Sequence, residues 1–319
     1  MKTQNQYDFL IIGAGGTGLA SAMYAARLGL RTLVLGTSYG SELPIGGVIT
    51  TTNLIENFPG FKKTTGLELT KKLEEQTRSY KLVTIKEEEA LKVEKKKDCF
   101  FVKTNKETYQ TKVILFATGT KWRKLNVLGS LKFERKGVNY CALCDAPLFR
   151  NKIVAVVGSG DSAVKEALLL TEYAKRVYLI VRGDKVHPEP INLERLKKNK
   201  KIVVITKTNI TEIKGKNVLS SIVLDEPYES KKEINLDGVF IAIGHIPLSD
   251  LAKPVGVKLN EVGEIIINHE TAETNVRGIF AAGDVTDKRF KQLVTGVADG
   301  CSAAYYAYEY ITKNKVVTC

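Results

Sequence analysis

The sequence predicts an α/β protein built from two Rossmann-like dinucleotide-binding units of the three-layer ββα sandwich type, and three observations carry that reading. Two short apolar runs, Asp8-Phe9-Leu10-Ile11-Ile12 and Lys152-Ile153-Val154-Ala155-Val156-Val157, each pass directly into a glycine-rich turn and then a helix-forming segment. Three further apolar runs end at small residues, around Ala117-Thr118-Gly119, Gly244 and Gly283. The length of 319 residues leaves room for about two domains of ~100–200 residues each.

The first turn reads Gly13-Ala14-Gly15-Gly16-Thr17-Gly18. Gly13 permits the tight turn, Gly15 lets the backbone approach a pyrophosphate, and Gly18 lets the helix pack closely on the strand. The helix would turn its free N–H groups and positive dipole end toward the phosphates. Arg31 to Gly36 supplies the next strand, which ends without the Asp or Glu that commonly binds a ribose hydroxyl. A polar, glycine-bearing connection follows, through Gly46-Gly47 and Glu56-Asn57-Phe58-Pro59-Gly60. Thr65 to Ser79 reads as an amphipathic helix with Thr65 and Glu68 at capping-box spacing. Val83 to Val93 and Cys99 to Thr104 are expected to form a small antiparallel layer.

The second turn reads Gly158-Ser159-Gly160-Asp161-Ser162-Ala163, with Ala163 in the third glycine's place, and is followed by a helix through Leu170 and a strand from Arg176 to Val181. Two complete βαβ starts mark an internally repeated architecture that would hold two nucleotides. Lys201 to Asp237 reads as further strands, Lys291 to Ile311 as a long helix, and Lys313 to Cys319 as a polar tail.

Between the two fingerprints lies Cys141-Ala142-Leu143-Cys144-Asp145. Thiols at this spacing can close a short disulfide, and the adjacent acid can move a proton when it opens. Half of a zinc site is the competing reading, but neither a second C-x-x-C nor a histidine cluster completes it, so no metal is expected. Cys99, Cys301 and Cys319 read as isolated thiols, Cys319 being the one candidate for a second redox group, and His187, His245 and His269 are scattered. The net charge of +13 is concentrated in lysine runs without interleaved aromatics, which suits a solvated surface rather than a nucleic-acid reader. The N-terminus has no secretory pattern and no apolar run approaches ~20 residues, so a cytoplasmic protein without membrane segments is expected.

The order of these motifs resembles low-molecular-weight thioredoxin reductase, a class of the FAD-dependent pyridine nucleotide-disulfide oxidoreductases, from Tyr7 to about Ile311. The resemblance rests on the first fingerprint, Gly46-Gly47 with Glu56 to Gly60, Ala117-Thr118-Gly119, the Cys pair with Asp145, the second fingerprint, Gly244-His245-x-Pro247, and Gly283-Asp284 with Lys291-Gln292. It implies a discontinuous FAD domain of residues 1–118 and 247–319, with a pyridine nucleotide domain of residues 119–246 inserted into it. It places FAD on Gly13, Gly15, Gly18, Gly47, Asn57, Ala117, Thr118, Gly119, Gly283, Asp284, Lys291, Gln292 and Leu293, where the family's usual Arg-Gln-Ala reads Lys-Gln-Leu. It places NADPH or NADH on Gly158, Gly160, Asp161, Ser162, Ala163, Arg182, Lys185, His187 and Gly244. It further implies that Cys144 faces the flavin, that Cys141 attacks the disulfide of a thioredoxin-like or glutaredoxin-like protein, and that Asp145 serves as acid and base. A homodimer is expected on the same ground.

One stretch departs from the family pattern. NADPH-dependent members carry His-Arg-Arg-x-x-x-Arg after the strand that here ends at Val181, whereas this chain reads Val181-Arg182-Gly183-Asp184-Lys185-Val186-His187. Gly183 removes a guanidinium fork, and Lys185 offers only a point charge. The expectation is therefore a thioredoxin-disulfide reductase with relaxed or reversed NADPH preference. Reduced ferredoxin or a deazaflavin as donor, and a non-catalytic redox sensor, are the alternatives.

Overall fold

The computed structural model describes residues 5–37, 44–52, 55–97 and 99–313, the side chains of residues 143 and 144 excepted. The chain divides into two compact units, Met1–Lys121 with Ile246–Cys319, and Trp122–His245.

In the first unit, β1 (Gln6–Ile12) leads through the first fingerprint into α1 (Gly16–Arg27) and then β2 (Thr32–Gly36). After a 3-10 turn at Val48–Thr51 come α2 (Gly66–Arg78), β3 (Val83–Glu87), β4 (Ala90–Lys96), β5 (Cys99–Thr104), β6 (Thr108–Phe116) and β7 (Thr120–Trp122). The capping box at α2 is complete, the Thr65 hydroxyl accepting from the Glu68 N–H and the Glu68 carboxylate accepting from the Thr65 N–H.

The expected small antiparallel layer is only partly formed. The segment Val83 to Val93 is two strands: β3 extends the parallel sheet beyond β2, and β4 pairs antiparallel with β5 at the opposite side, in the order β3-β2-β1-β6-β5-β4. The break falls at Glu88. That carboxylate is buried and accepts from the Tyr109 hydroxyl at 2.9 and 3.0 Å and from Thr104 Oγ1 at 2.7 Å. A buried carboxylate with these donors is held in place at little net cost, whereas a continuous strand would leave it unsatisfied.

The second unit opens with β8 (Val138–Asn139), α3 (Ala142–Asp145) and a 3-10 turn at Ala146–Phe149. Its sheet adds β9 (Ile153–Val157), β10 (Arg176–Ile180), β11 (Ile202–Ile205) and, after a three-stranded meander of β12 (Ile210–Gly215), β13 (Leu219–Tyr228) and β14 (Lys231–Asn235), the strand β15 (Gly238–Ile241). The order β11-β10-β9-β15-β8 is parallel throughout. Helix α4 (Asp161–Leu170) follows the second fingerprint, and α5 (Pro190–Lys198) follows β10 in a stretch for which the sequence predicted no helix.

The chain returns to the first unit through β16 (His245–Pro247), which pairs with β7. It ends in β17 (Ile279–Ala281), beside the C-terminal half of β6, and α6 (Leu293–Lys313), which starts two residues later than predicted. Each unit has its own apolar interior. Phe9, Ile11, Val113, Leu115 and Phe280 meet Ala22, Ala25, Ala303 and Ala304 of the helices in the first. Val154, Val156 and Phe240 meet Ala163, Ala167, Ala142 and Ala146 in the second. No helix among the described residues is long and apolar enough to cross a membrane.

Candidate active site

In the first unit the residues of the expected flavin site converge on the start of α1. Gly13 has φ 116°, and a Cβ there would stand 2.2 Å from the Ala117 carbonyl oxygen, so β1 and the end of β6 approach as backbone on backbone. A Cβ on Gly18 would lie 1.9 Å from the Gly13 oxygen. Helix α1 has Gly15 as its N-cap, with no side-chain cap and no acid in its first turn, which leaves its N–H groups and dipole end for a negative group. Gly47, at φ 73°, brings its loop across this turn, and a Cβ on it would lie 3.3 Å from the Gly15 Cα. The Gly46 N–H donates to the Ala14 oxygen at 2.8 Å. This uncapped, acid-free, glycine-walled turn fits the pyrophosphate of a dinucleotide.

The remaining residues close the same place from the C-terminal part of the chain. Asn57 Nδ2 donates to Gln292 Oε1 at 3.0 Å across 235 positions of sequence. A Cβ on Gly283, at φ 77°, would stand 2.6 Å from Thr17 Oγ1, and one on Gly16 would lie 2.4 Å from the Leu293 side chain. Asp284 therefore follows a turn that touches α1, and Leu293 begins α6 against it. Lys291 has partners the sequence did not show: its ammonium pairs with the Glu264 carboxylate and donates to the Asp284 carbonyl at 2.9 Å. Its charge is compensated by Glu264, 27 positions away, which no motif marks. Thr118 Oγ1 is likewise occupied, donating to the Leu248 oxygen at 2.6 Å.

The second fingerprint repeats the first, with Ala163 for its third glycine and one further difference that bears on charge. Gly158 has φ 147°, and a Cβ on it would stand 2.2 Å from the Ala242 oxygen and 2.9 Å from the Ala163 Cβ, while one on Gly160 would meet nothing within 4 Å. The difference is Asp161, the first residue of α4. Its carboxylate accepts from the Glu189 N–H at 2.9 Å and Asn192 Nδ2 at 2.7 Å and pairs with Lys165 at 2.7 Å. Burial pulls this carboxyl's pKa up, but Lys165, Asn192 and the Glu189 N–H outweigh it and hold it below the usual range. The acid is thus turned toward α5, and the α4 N-terminus has no side-chain cap. The His187 N–H donates to the Ser159 oxygen at 2.7 Å, laying the 182–187 loop beside the fingerprint. Ser162, Arg182, Asp184, Lys185 and His187 are all exposed, and Gly244 at φ 96° has open space around its Cβ position.

The dithiol segment belongs to this second unit. Cys141 is disulfide-bonded, and the Cys144 side chain lies outside the described residues. The Asp145 N–H donates to the Cys141 oxygen at 3.2 Å, which folds the segment into one short turn of helix. Ala142 and Ala146 are buried against α4, and Phe149 meets Phe240 edge to face with centroids 5.3 Å apart. Burial pushes the Asp145 carboxyl up, while the charge of Arg135 acts in the opposite direction. Among the described residues no His, Cys, Asp and Glu cluster could hold a metal. The expectation of isolated thiols fails at Cys99, which is disulfide-bonded; Cys301 is a free thiol that burial makes less acidic, and Cys319 lies outside the described residues.

Residues 7–300 match the family model described as pyridine nucleotide-disulphide oxidoreductase. The chain belongs to the pyridine nucleotide-disulphide oxidoreductase family. Among relatives of this family, the thioredoxin reductase of Ureaplasma parvum is 38% identical over 315 residues, covering 98% of this chain and 99% of that protein. An alkyl hydroperoxide reductase component of Staphylococcus epidermidis is 37% identical over 313 residues, and the match spans 98% of this chain and 60% of that longer protein. The crystal structure of Lactococcus lactis thioredoxin reductase superposes with a TM-score of 0.90 at 36% identity, covering 96% of this chain and 99% of that one. The two-Rossmann-domain fold of this family is therefore the fold of the chain.

Proposed function

We propose that this pyridine nucleotide-disulphide oxidoreductase is an FAD-dependent thioredoxin-disulfide reductase, with FAD in the first unit and a nicotinamide nucleotide in the second. One observation carries the reading: Cys141 is in a disulfide on a single helical turn that ends in a desolvated Asp145, inside the unit that also bears the second fingerprint. When bound, FAD would supply the hydride chemistry that carries two electrons from the nicotinamide to the Cys141–Cys144 disulfide. The chain's own groups then complete the exchange. The Cys141 thiolate attacks the partner's disulfide, and the released partner thiolate takes a proton from Asp145. The Cys144 thiol returns a proton to Asp145 as its sulfur displaces the partner from Cys141. The enzyme dithiol becomes a disulfide, and the second partner sulfur, leaving as a thiolate, takes its proton from solvent, so that the partner disulfide becomes a dithiol.

In the first unit Gly13, Gly15, Gly18 and Gly47 would hold the pyrophosphate, with Asn57, Ala117 to Gly119, Gly283, Asp284 and Lys291 to Leu293 around the rest of the flavin nucleotide. A thioredoxin-like or glutaredoxin-like acceptor, a cytoplasmic location and a homodimer belong to the same reading. The test is anaerobic addition of NADH or NADPH to the flavin-loaded protein, followed by turnover with added thioredoxin. Bleaching of the flavin and thioredoxin-dependent turnover that Cys141→Ser abolishes are expected; a flavin that neither nucleotide bleaches defeats the reading.

The donor preference follows from the 182–187 loop. A bidentate charge-assisted hydrogen bond to phosphate contributes ~1.5–3 kcal/mol, about 10- to 100-fold in affinity. Here the fork is replaced by Gly183, and Asp184 adds a negative charge beside Arg182 and Lys185. NADH is therefore expected to match or exceed NADPH in kcat/KM, and Asp184→Arg to raise the NADPH/NADH ratio about tenfold or more. Steady-state kinetics with both nucleotides decide it.

A further inference from the structure

The stretch that opens α6 is tied down by side chains. Gln292 accepts from Asn57 Nδ2 at 3.0 Å, and its N–H donates to Thr295 Oγ1 at 3.1 Å. The Thr295 hydroxyl in turn donates to the Phe290 oxygen at 3.0 Å. Lys288 pairs with the Asp299 carboxylate, and Lys291 pairs with Glu264 while donating to the Asp284 oxygen at 2.9 Å. Lys291 thus joins the start of α6 both to the turn after β17 and to a segment that precedes β17 in the chain. A lysine ammonium on its flexible stem, unlike an arginine fork, holds one position only against a fixed acceptor.

Glu264 is such an acceptor. Its N–H donates to Asn260 Oδ1 at 2.9 Å, and Asn260 Nδ2 donates back to Glu264 Oε2 at 2.7 Å, which leaves Oε1 for Lys291. The next residue, Ile265, is fully buried in the core of the first unit. Its N–H donates to the Val285 oxygen at 2.9 Å, and its oxygen accepts from the Asp287 N–H at 3.0 Å. Main chain and carboxylate are therefore both held by groups other than Lys291. We infer that Glu264 is a positioning residue for flavin binding: its carboxylate holds Lys291, and through Lys291 it keeps residues 288–292 in the conformation in which Gln292 meets Asn57. This rests on the reading of the first unit as the FAD site.

The second ion pair of the stretch does not replace this one. Asp299 lies on α6 itself, 11 positions after Lys288, so that pair ties the stretch only to the helix it opens. Glu264 ties it to a segment anchored in the core. Both side chains of the Lys291–Glu264 pair are partly buried. A fully exposed pair would add little, whereas removing one partner here leaves the other charge poorly solvated and favours its escape to water. Lys291 would carry residues 288–292 with it. A site whose competent conformer is only partly populated binds its ligand more weakly in proportion, so the latch acts on FAD affinity by preorganisation.

The test compares the full-length parent with Glu264→Gln, Lys291→Met and the double variant, each stripped of flavin. Three quantities are read: the Kd for added FAD from quenching of flavin fluorescence, the rate of tryptic cleavage after Lys288 and Arg289, and the Tm. Glu264→Gln is expected to raise the Kd about tenfold, as for a latch whose loss leaves the competent conformer about one-tenth populated. Cleavage should quicken, while the Tm stays close to the parent's. In the Lys291→Met background Glu264→Gln should change neither Kd nor cleavage further, because its effect passes through Lys291. A lowered Tm with an unchanged Kd means that Glu264 serves stability alone and overturns the inference. So does a rise in Kd of the same size with and without Lys291. A parent protein that takes up no FAD removes the flavin reading itself, and the inference with it.

Discussion

At the scale of single residues, Glu166 makes a prediction that the redox chemistry does not need. Its Oε2 is buried without a hydrogen-bond partner, and burial lifts its pKa from 4.5 to about 8. The folded protein therefore binds this proton more tightly than the unfolded chain does. The resulting stabilisation is complete below pH 4.5 and is lost progressively as pH rises through about 8. Glu166→Gln, which keeps the shape and cannot ionise, should narrow the difference in Tm between about pH 6 and about pH 9; an equal difference in both proteins counts against it. Nothing in the sequence marks Glu166, because an acid in a helix after a fingerprint is ordinarily a solvated one. Lys291 was hidden for a related reason: its partner Glu264 lies in an irregular segment with no periodic or motif signal. Gly13, Gly18 and Gly158 were legible because only glycine permits backbone approaches of 2.2 and 1.9 Å from a Cβ position.

At the scale of elements, the parallel strands could be read directly, since strands covered on both faces are continuous apolar runs. Helix α2 was legible through its capping box. Helix α5 was not, being nine residues long with Leu196 its one fully buried apolar side chain and three basic residues in its last turn. The lysine run at 197–201 has a structural role here. Lys197 and Lys198 end α5 where cations complement the helix dipole, and Lys201 Nζ donates to the Thr171 and Ala174 carbonyls beyond the end of α4, at 2.6 and 3.2 Å. Individual glycines of the two fingerprints differ in tolerance. Gly18→Ala must push the Gly13 carbonyl away from α1, an overpacking cost of ~1–3 kcal/mol, and should release flavin. Gly160→Ala, at φ −81° and with open space around it, should leave Tm unchanged and raise the KM for the nicotinamide nucleotide alone. Urea denaturation, flavin content and steady-state kinetics of the two variants test this contrast; a Gly160→Ala enzyme with unaltered KM would show that no nucleotide backs onto that turn.

At the scale of the molecule, the insertion has a physical consequence. Among the described residues, every buried apolar cluster draws on one unit only: those of the first unit take residues from Tyr7 to Ala117 and from Ala252 to Ala307, those of the second from Phe133 to Ile241. The strands at which the chain leaves and re-enters the first unit, β7 and β16, pair with each other, so the ends of the insert are held side by side. A segment of ~120 residues with its own core and adjacent ends meets the requirements of an autonomous domain. The sequence announced two fingerprints, but the insertion itself came from resemblance, because local pattern does not show which distant strands share a core. Residues 122–245 produced alone should fold cooperatively and close the Cys141 disulfide. The whole protein should melt in two transitions, of which FAD raises only the one belonging to the first unit, since a ligand stabilises the domain that holds it. Calorimetry of the excised unit and of the full chain with and without FAD measures both effects. An excised unit without a cooperative transition, or FAD raising both transitions equally, would mean that the two cores are stabilised as one.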